Sequence, residues 1–100
     1  MSIKLDKGDL VFLNFSPQSG HEQAGNRPAI ILSPNTFNNG NFVIACPITS
    51  KEKGYPFEVK LPDGLKVSGV ILADQFRSLD WRSRNLKKID KAPDETVNEC

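Results

Sequence analysis

Phe57-Glu58-Val59-Lys60-Leu61-Pro62-Asp63-Gly64-Leu65-Lys66-Val67-Ser68-Gly69-Val70-Ile71-Leu72-Ala73 is two short apolar runs hinged on a turn. Proline presets φ and glycine accepts a positive φ, so Pro62-Asp63-Gly64 reverses the chain. The runs on either side, residues 57–61 and 70–73, are too short for stable helices and rich in β-branched residues. The stretch therefore reads as a β-hairpin. The same punctuation recurs upstream, where residues 10–15, 29–32 and 42–48 are apolar runs bounded by Gly, Pro, Asn and Asp.

Helix signals are few. Ser33-Pro34 offers an N-cap and a first-turn proline, and Asn38-Asn39-Gly40 stops the helix within two turns. Pro93-Asp94-Glu95 starts another, with acidic residues in its first turn, near the last residue Cys100. The expected architecture is mainly β: a barrel-like domain of five to six mostly antiparallel strands with short helices. Residues 1–100 are expected to form a single domain closing on a short C-terminal helix, without repeats or linker.

Leu, Ile, Val and Phe are frequent and the formal net charge is only +1, which excludes the disordered class. No apolar run approaches the roughly 18 residues of a membrane span, and Met1-Ser2-Ile3-Lys4-Leu5-Asp6 lacks the apolar segment of a secretory signal. A cytoplasmic protein without membrane contact is expected. Cys46 lies within an apolar run and Cys100 is the last residue, so reduced thiols are expected rather than a disulfide. One histidine and no CxxC pair leave zinc without a ligand set, although carboxylates alone can hold Mg²⁺. No cofactor is expected.

Charge is unevenly spread. Residues 77–91 carry Arg77, Arg82, Arg84, Lys87, Lys88 and Lys91 against only Asp80 and Asp90, with Phe76 and Trp81 alongside. Cations among aromatic rings suit single-stranded nucleic acid. A solvated basic face with Trp81 in the core is the plainer alternative. The longest stretch that packing does not explain is residues 16–27, which gathers His21, Glu22, Gln23 and Arg27 around Gly20 and Gly25. Pro28 forces the chain extended just after Arg27, a suitable place for a guanidinium to fork onto a phosphate. The alternative is a surface loop with an exposed Glu22 to Arg27 ion pair.

Taken in order, the blocks Gly8-Asp9-Leu10-Val11, Gly20-His21-Glu22-Gln23-Ala24-Gly25-Asn26-Arg27-Pro28-Ala29, Leu32-Ser33-Pro34 and Val43-Ile44-Ala45-Cys46-Pro47-Ile48-Thr49 resemble the MazF/PemK toxin family. Gly54-Tyr55-Pro56-Phe57-Glu58-Val59, Gly69-Val70-Ile71-Leu72-Ala73-Asp74-Gln75 and Ser78-Leu79-Asp80-Trp81-Arg82 continue the likeness, which spans residues 8–99. It implies an SH3-like barrel, a homodimer and a metal-independent endoribonuclease that is selective for sequence in single-stranded RNA. It also implies a cognate antitoxin protein that blocks the RNA groove. Relatives of that family continue past the Val97-Asn98-Glu99 position into a longer helix, which is cut short here.

RNA carries its own nucleophile, the 2′-hydroxyl, so cutting needs a base, a cation for the crowded phosphorane and an acid or water for the leaving oxygen. Arg27 matches the family's key arginine and suits phosphate charge stabilisation first and proton donation second. Thr49 matches the family's hydroxyl residue and would hold a phosphate oxygen; a strand-end threonine is the plain alternative. Glu22 aligns as base or as orienter of Arg27. His21 titrates near neutrality and is a candidate acid or base. PemK-like members pair such a histidine with an aspartate corresponding to Asp74, but an arginine of theirs is replaced here by Leu72. Substrate selection is expected from Lys53 and Tyr55 in residues 50–55, from Phe57, and from Gln75 and Arg77, with Asp74 beside them.

Two rivals remain at the level of sequence. One is a non-catalytic protein on the same fold, such as a CcdB-like toxin or a binding module. The other is a Mg²⁺-dependent nuclease built on Asp9, Glu22 and Asp74.

Overall fold

Phe42–Thr49 (β3) organises the molecule because it takes partners along both edges. The computed structural model describes residues 4–15, 25–38, 40–84 and 86–100. In chain order the other strands are Asp9–Asn14 (β1), Asn26–Ile31 (β2), Glu58–Lys60 (β4), Val70–Leu72 (β5), Arg77–Asp80 (β6) and Lys87–Lys91 (β7). The described residues also form two helices, Asn35–Asn38 (α1) and Asp94–Glu99 (α2), and two 3₁₀ turns, Ala73–Gln75 and Trp81–Ser83. The strand order is β4-β5-β3-β2-β1-β7 with β6 also on β3, and every pairing is antiparallel.

The mainly β, antiparallel architecture is as expected, and β4 and β5 form the hairpin read from residues 57–73. The described residues form seven strands rather than the five or six expected. The two extra ones, β6 and β7, come from the basic stretch. β7 is an edge strand with no fully buried residue, so it shows no apolar run, and its lysines discourage pairing with another chain. Among the described residues no ladder joins β4 to β7, so the sheet is barrel-like rather than closed.

Alternation along the strands gives the sheet a core on each face. One holds Val11, Leu13, Ala29, Ile31, Val43, Ala45, Leu79 and Trp81; the other holds Leu10, Ile30, Cys46, Ile48, Val59 and Ile71. Each fully buried Leu or Ile contributes about 1.5–3 kcal/mol. β3 changes partner partway along: residues 42–45 pair with β6, residues 48–49 with β5. Pro47 sits between the two. The Ile44 N–H and C=O both point to the β2 side, onto Ser33 Oγ and the Leu32 N–H, so the Pro47 nitrogen faces the opposite edge, where the partner changes. A missing N–H costs little there.

Ser33 does not cap α1 as its sequence position suggested. Its hydroxyl donates to buried Asn38 and accepts the Ile44 N–H, while the Asp6 carboxylate takes the Asn35 N–H at 3.0 Å. Backbone N–H bonds, first from Lys7 and then from Asn35, hold the Asp6 carboxyl below its ordinary pKa. Among the described residues both cysteines are free thiols, Cys46 buried and Cys100 exposed.

Candidate active site

Arg27 is half-buried in β2, paired with Leu13 of β1 on one side. On the other side the β2–β3 register runs Ile31 with Ala45 and Ala29 with Pro47. Arg27 and Thr49 each lie two residues beyond the last pair of that ladder, Ala29 with Pro47. Strand alternation puts both on the face whose core is formed by Ala29, Ile31, Val43 and Ala45.

At Thr49 opens a groove of about 290 Å³, bounded by Lys51, Lys53, Tyr55, Phe57, Glu58, Leu72 and Gln75. β3 delivers Thr49, β4 Glu58, β5 Leu72 and the following 3₁₀ turn Gln75. Thr49 Oγ1 accepts the Lys51 N–H at 3.2 Å, which leaves the hydroxyl proton to donate to a ligand oxygen. The Tyr55 and Phe57 rings stack with centroids 5.2 Å apart and planes 14° from parallel, a flat apolar platform half open to solvent. Lysines can draw an anionic chain across such a cleft while bases lie on the rings.

Thr49, Lys53, Tyr55, Phe57 and Gln75, all anticipated from sequence, thus meet in one groove. Asp74 does not line it; it is exposed on the 3₁₀ turn, where its charge helps raise the Cys46 thiol. Arg77 is also elsewhere. Its guanidinium donates to the Phe15 carbonyl at 2.7 Å and lies 5.9 Å from the Phe15 ring centroid, so it braces the end of β1. His21 and Glu22 lie outside the described residues.

Three further cations of the basic stretch are likewise engaged in the fold. Arg84 donates to the Asn14 carbonyl at 2.9 Å, Arg82 covers the Trp81 ring at 4.5 Å, and Lys88 pairs with Asp9 at 3.4 Å. Trp81 is buried, its indole N–H on the Asn38 carbonyl at 3.2 Å, so it belongs to the core as the plainer reading had it. Asp9, one of the carboxylates considered for Mg²⁺, is buried and also accepts the Asp6 N–H at 2.8 Å. Sequence reasoning passed over Glu58, whose carboxylate gathers loop amides. The available signal was an acid opening a strand directly after a glycine-containing loop.

The fold and the groove define a class: a small antiparallel β-domain with an open cleft lined by lysines and a stacked aromatic pair. Residues 6–100 match the family described as PemK-like, MazF-like toxin of type II toxin–antitoxin system. The endoribonuclease toxin MazF of Escherichia coli K12 is 50% identical over 92 residues, covering 90% of this chain and 82% of that protein. MazF from Deinococcus radiodurans, a crystal structure, superposes with a TM-score of 0.94 at 55% identity, over 98% of this chain and 90% of that one. A MazE-MazF crystal structure from the same organism matches with a TM-score of 0.86 at 55% identity, over 98% and 89% of the two chains. This chain belongs to the PemK-like, MazF-like toxin family.

Proposed function

We propose that this chain is the endoribonuclease toxin of a toxin–antitoxin pair, cutting single-stranded RNA where the ends of β2 and β3 meet the groove. The observation that carries the reading is the groove that gathers Thr49, Lys51, Lys53, Gln75 and the stacked Tyr55 and Phe57 rings, with Arg27 two residues past the last β2–β3 pair. The names of the similar proteins, endoribonuclease toxins and a MazE-MazF complex, support it.

The chemistry follows from what each group can do. The RNA 2′-hydroxyl attacks the adjacent phosphorus, closing a 2′,3′-cyclic phosphate and expelling the 5′-oxygen, which leaves as a 5′-hydroxyl after protonation. Arg27 balances the charge that builds on the phosphorane oxygens. The Thr49 hydroxyl donates to one of those oxygens and holds the phosphate in line. Glu22 is the candidate base for the 2′-proton, with His21 the candidate acid or base beside it. Lys51 and Lys53 neutralise neighbouring phosphates, bases stack on Tyr55 and Phe57, and the Gln75 amide reads a base edge. The charge needed at phosphorus comes from side chains, so the scheme calls for no metal.

Among the described residues no helix is long and apolar enough to cross a membrane. The proposed setting is the cytoplasm, where RNA is exposed, with the chain acting as a homodimer restrained by an antitoxin protein. The test is cleavage of a mixed RNA pool by purified protein in excess chelator, with both product ends sequenced. Cyclic phosphate and 5′-hydroxyl ends are expected, and Arg27→Ala should abolish them while the fold persists. Cutting that continues after the 2′-hydroxyl is replaced by hydrogen, or that requires added Mg²⁺, would overturn the mechanism. A non-catalytic toxin would give no products at all.

A further inference from the structure

Glu58 lines the groove, where a negative charge works against the phosphates that the lysines attract. Its contacts point to a different task. Oε1 accepts the Lys53 N–H at 3.1 Å and the Gly54 N–H at 2.9 Å, and Oε2 lies 3.2 Å from the same Lys53 nitrogen. The Glu58 N–H donates in turn to the Tyr55 carbonyl at 3.1 Å. Residues 50–56 are all exposed, so apolar burial does not hold this loop. Gly54, at φ +78°, lets consecutive amides converge on one point, a backbone nest of the kind that binds anions. The anion in this nest is Glu58.

We propose that Glu58 is a positioning residue for RNA cutting: by filling the nest, its carboxylate sets the loop so that Lys51, Lys53 and the Tyr55–Phe57 stack line the groove, and thereby governs which bases are accepted. The inference rests on the groove being the RNA site. Arg27 and Thr49 are carried by β2 and β3 rather than by the loop, which reaches Thr49 Oγ1 through the Lys51 N–H, so losing Glu58 weakens binding and base choice more than the chemical step.

Wild type, Glu58→Ala, Glu58→Asp and Glu58→Gln are compared by KM and kcat on one good substrate and by cut-site sequences from a mixed RNA pool. Hydrogen exchange at the Lys53 and Gly54 amides is measured without RNA. Glu58→Ala is expected to raise KM on the order of ten-fold with kcat little changed, to broaden the cut-site sequence and to speed both amides. Glu58→Asp, which withdraws the acceptor by one methylene, should behave like the alanine variant and substitutes for it if that variant does not fold. Glu58→Gln keeps an acceptor in place and should restore the wild-type cut-site profile. An unchanged KM and profile in Glu58→Ala, a loss confined to kcat, or a Glu58→Gln that matches Glu58→Ala would each overturn the proposal. If wild type cuts no RNA, the functional assignment fails, while unchanged amide exchange in Glu58→Ala would separately reject the nest.

Discussion

Gly69→Ala reaches the candidate site through the backbone. Gly69 lies just before β5 at φ +125°, and a Cβ added there would stand 2.2 Å from the Thr49 carbonyl oxygen, 2.9 Å from its carbonyl carbon and 3.3 Å from the Ser50 Cα. All three neighbours are main chain and cannot swing aside, and a normal carbon contact is about 3.5 Å, so the strands must part by roughly an ångström. Holding alanine at that φ costs about 1–3 kcal/mol. The Gly69 carbonyl also accepts the Leu61 N–H at 3.0 Å, and disturbing that bond costs about 1 kcal/mol more. The sum, about 2–4 kcal/mol, corresponds to a fall in Tm of roughly 10–30 °C for a domain of this size. Displacing Thr49 by that distance should also slow RNA cleavage about a hundred-fold at a temperature where the variant is still folded. Thermal unfolding by circular dichroism and single-turnover cleavage measure the two effects. A variant that melts with wild type and cuts at the wild-type rate would refute both the close approach and its link to the site.

Thr49→Val removes the acceptor for the Lys51 N–H and the hydroxyl offered to phosphate, and should slow single-turnover cutting about ten- to hundred-fold, whereas Thr49→Ser keeps most activity. Equal rates in all three proteins would take Thr49 out of the site. Arg77→Met should lower the denaturant-derived stability by about 1–2 kcal/mol through loss of the Phe15 carbonyl bond and ring contact; lost activity at full stability would return Arg77 to the substrate contacts. Burial first, then the nearby Cys100 and Asp74 charges, push the Cys46 thiol from 9.0 up to about 12. Burial and then the Glu99 charge raise the exposed Cys100 thiol as well, so alkylation at neutral pH should modify Cys100 slowly and reach Cys46 only on unfolding, as read by mass spectrometry. Because folding raises the Cys46 thiol's pKa, its contribution to stability is complete below the unfolded value near 9.0 and is lost as pH climbs toward 12. A Cys46→Ala variant with the same alkaline loss as wild type would disprove that contribution.

The hairpin and the other apolar strands were legible because their partners are fixed by burial, and burial leaves a pattern of residue types along the chain. Edge strand β7, Lys-Lys-Ile-Asp-Lys, is held mainly by ladder bonds to β1, which leave no such pattern. The same limit explains the basic stretch. Arg77, Arg84 and Lys88 looked like a nucleic-acid face, and only folding brought the Phe15 and Asn14 carbonyls and the Asp9 carboxylate to them. Glu58 was missed because its role exists only once a loop has curled two amides toward it.

By itself the sequence determined the β class, the hairpin, the family and the residue types available for phosphate chemistry, because these depend on local turn chemistry and on motifs contiguous in the chain. Which of those residues lie near one another is decided only in three dimensions. Arg27 and Thr49 are 22 positions apart, and the β2–β3 pairing brings their strands side by side two residues short of them. The groove beyond them exists because β3 exchanges β6 for β5 at Pro47, which opens one end of the sheet for Lys51, Lys53 and the stacked rings. Register and strand exchange follow from the packing of two cores against both faces of a single sheet, and no local stretch of chain contains that information.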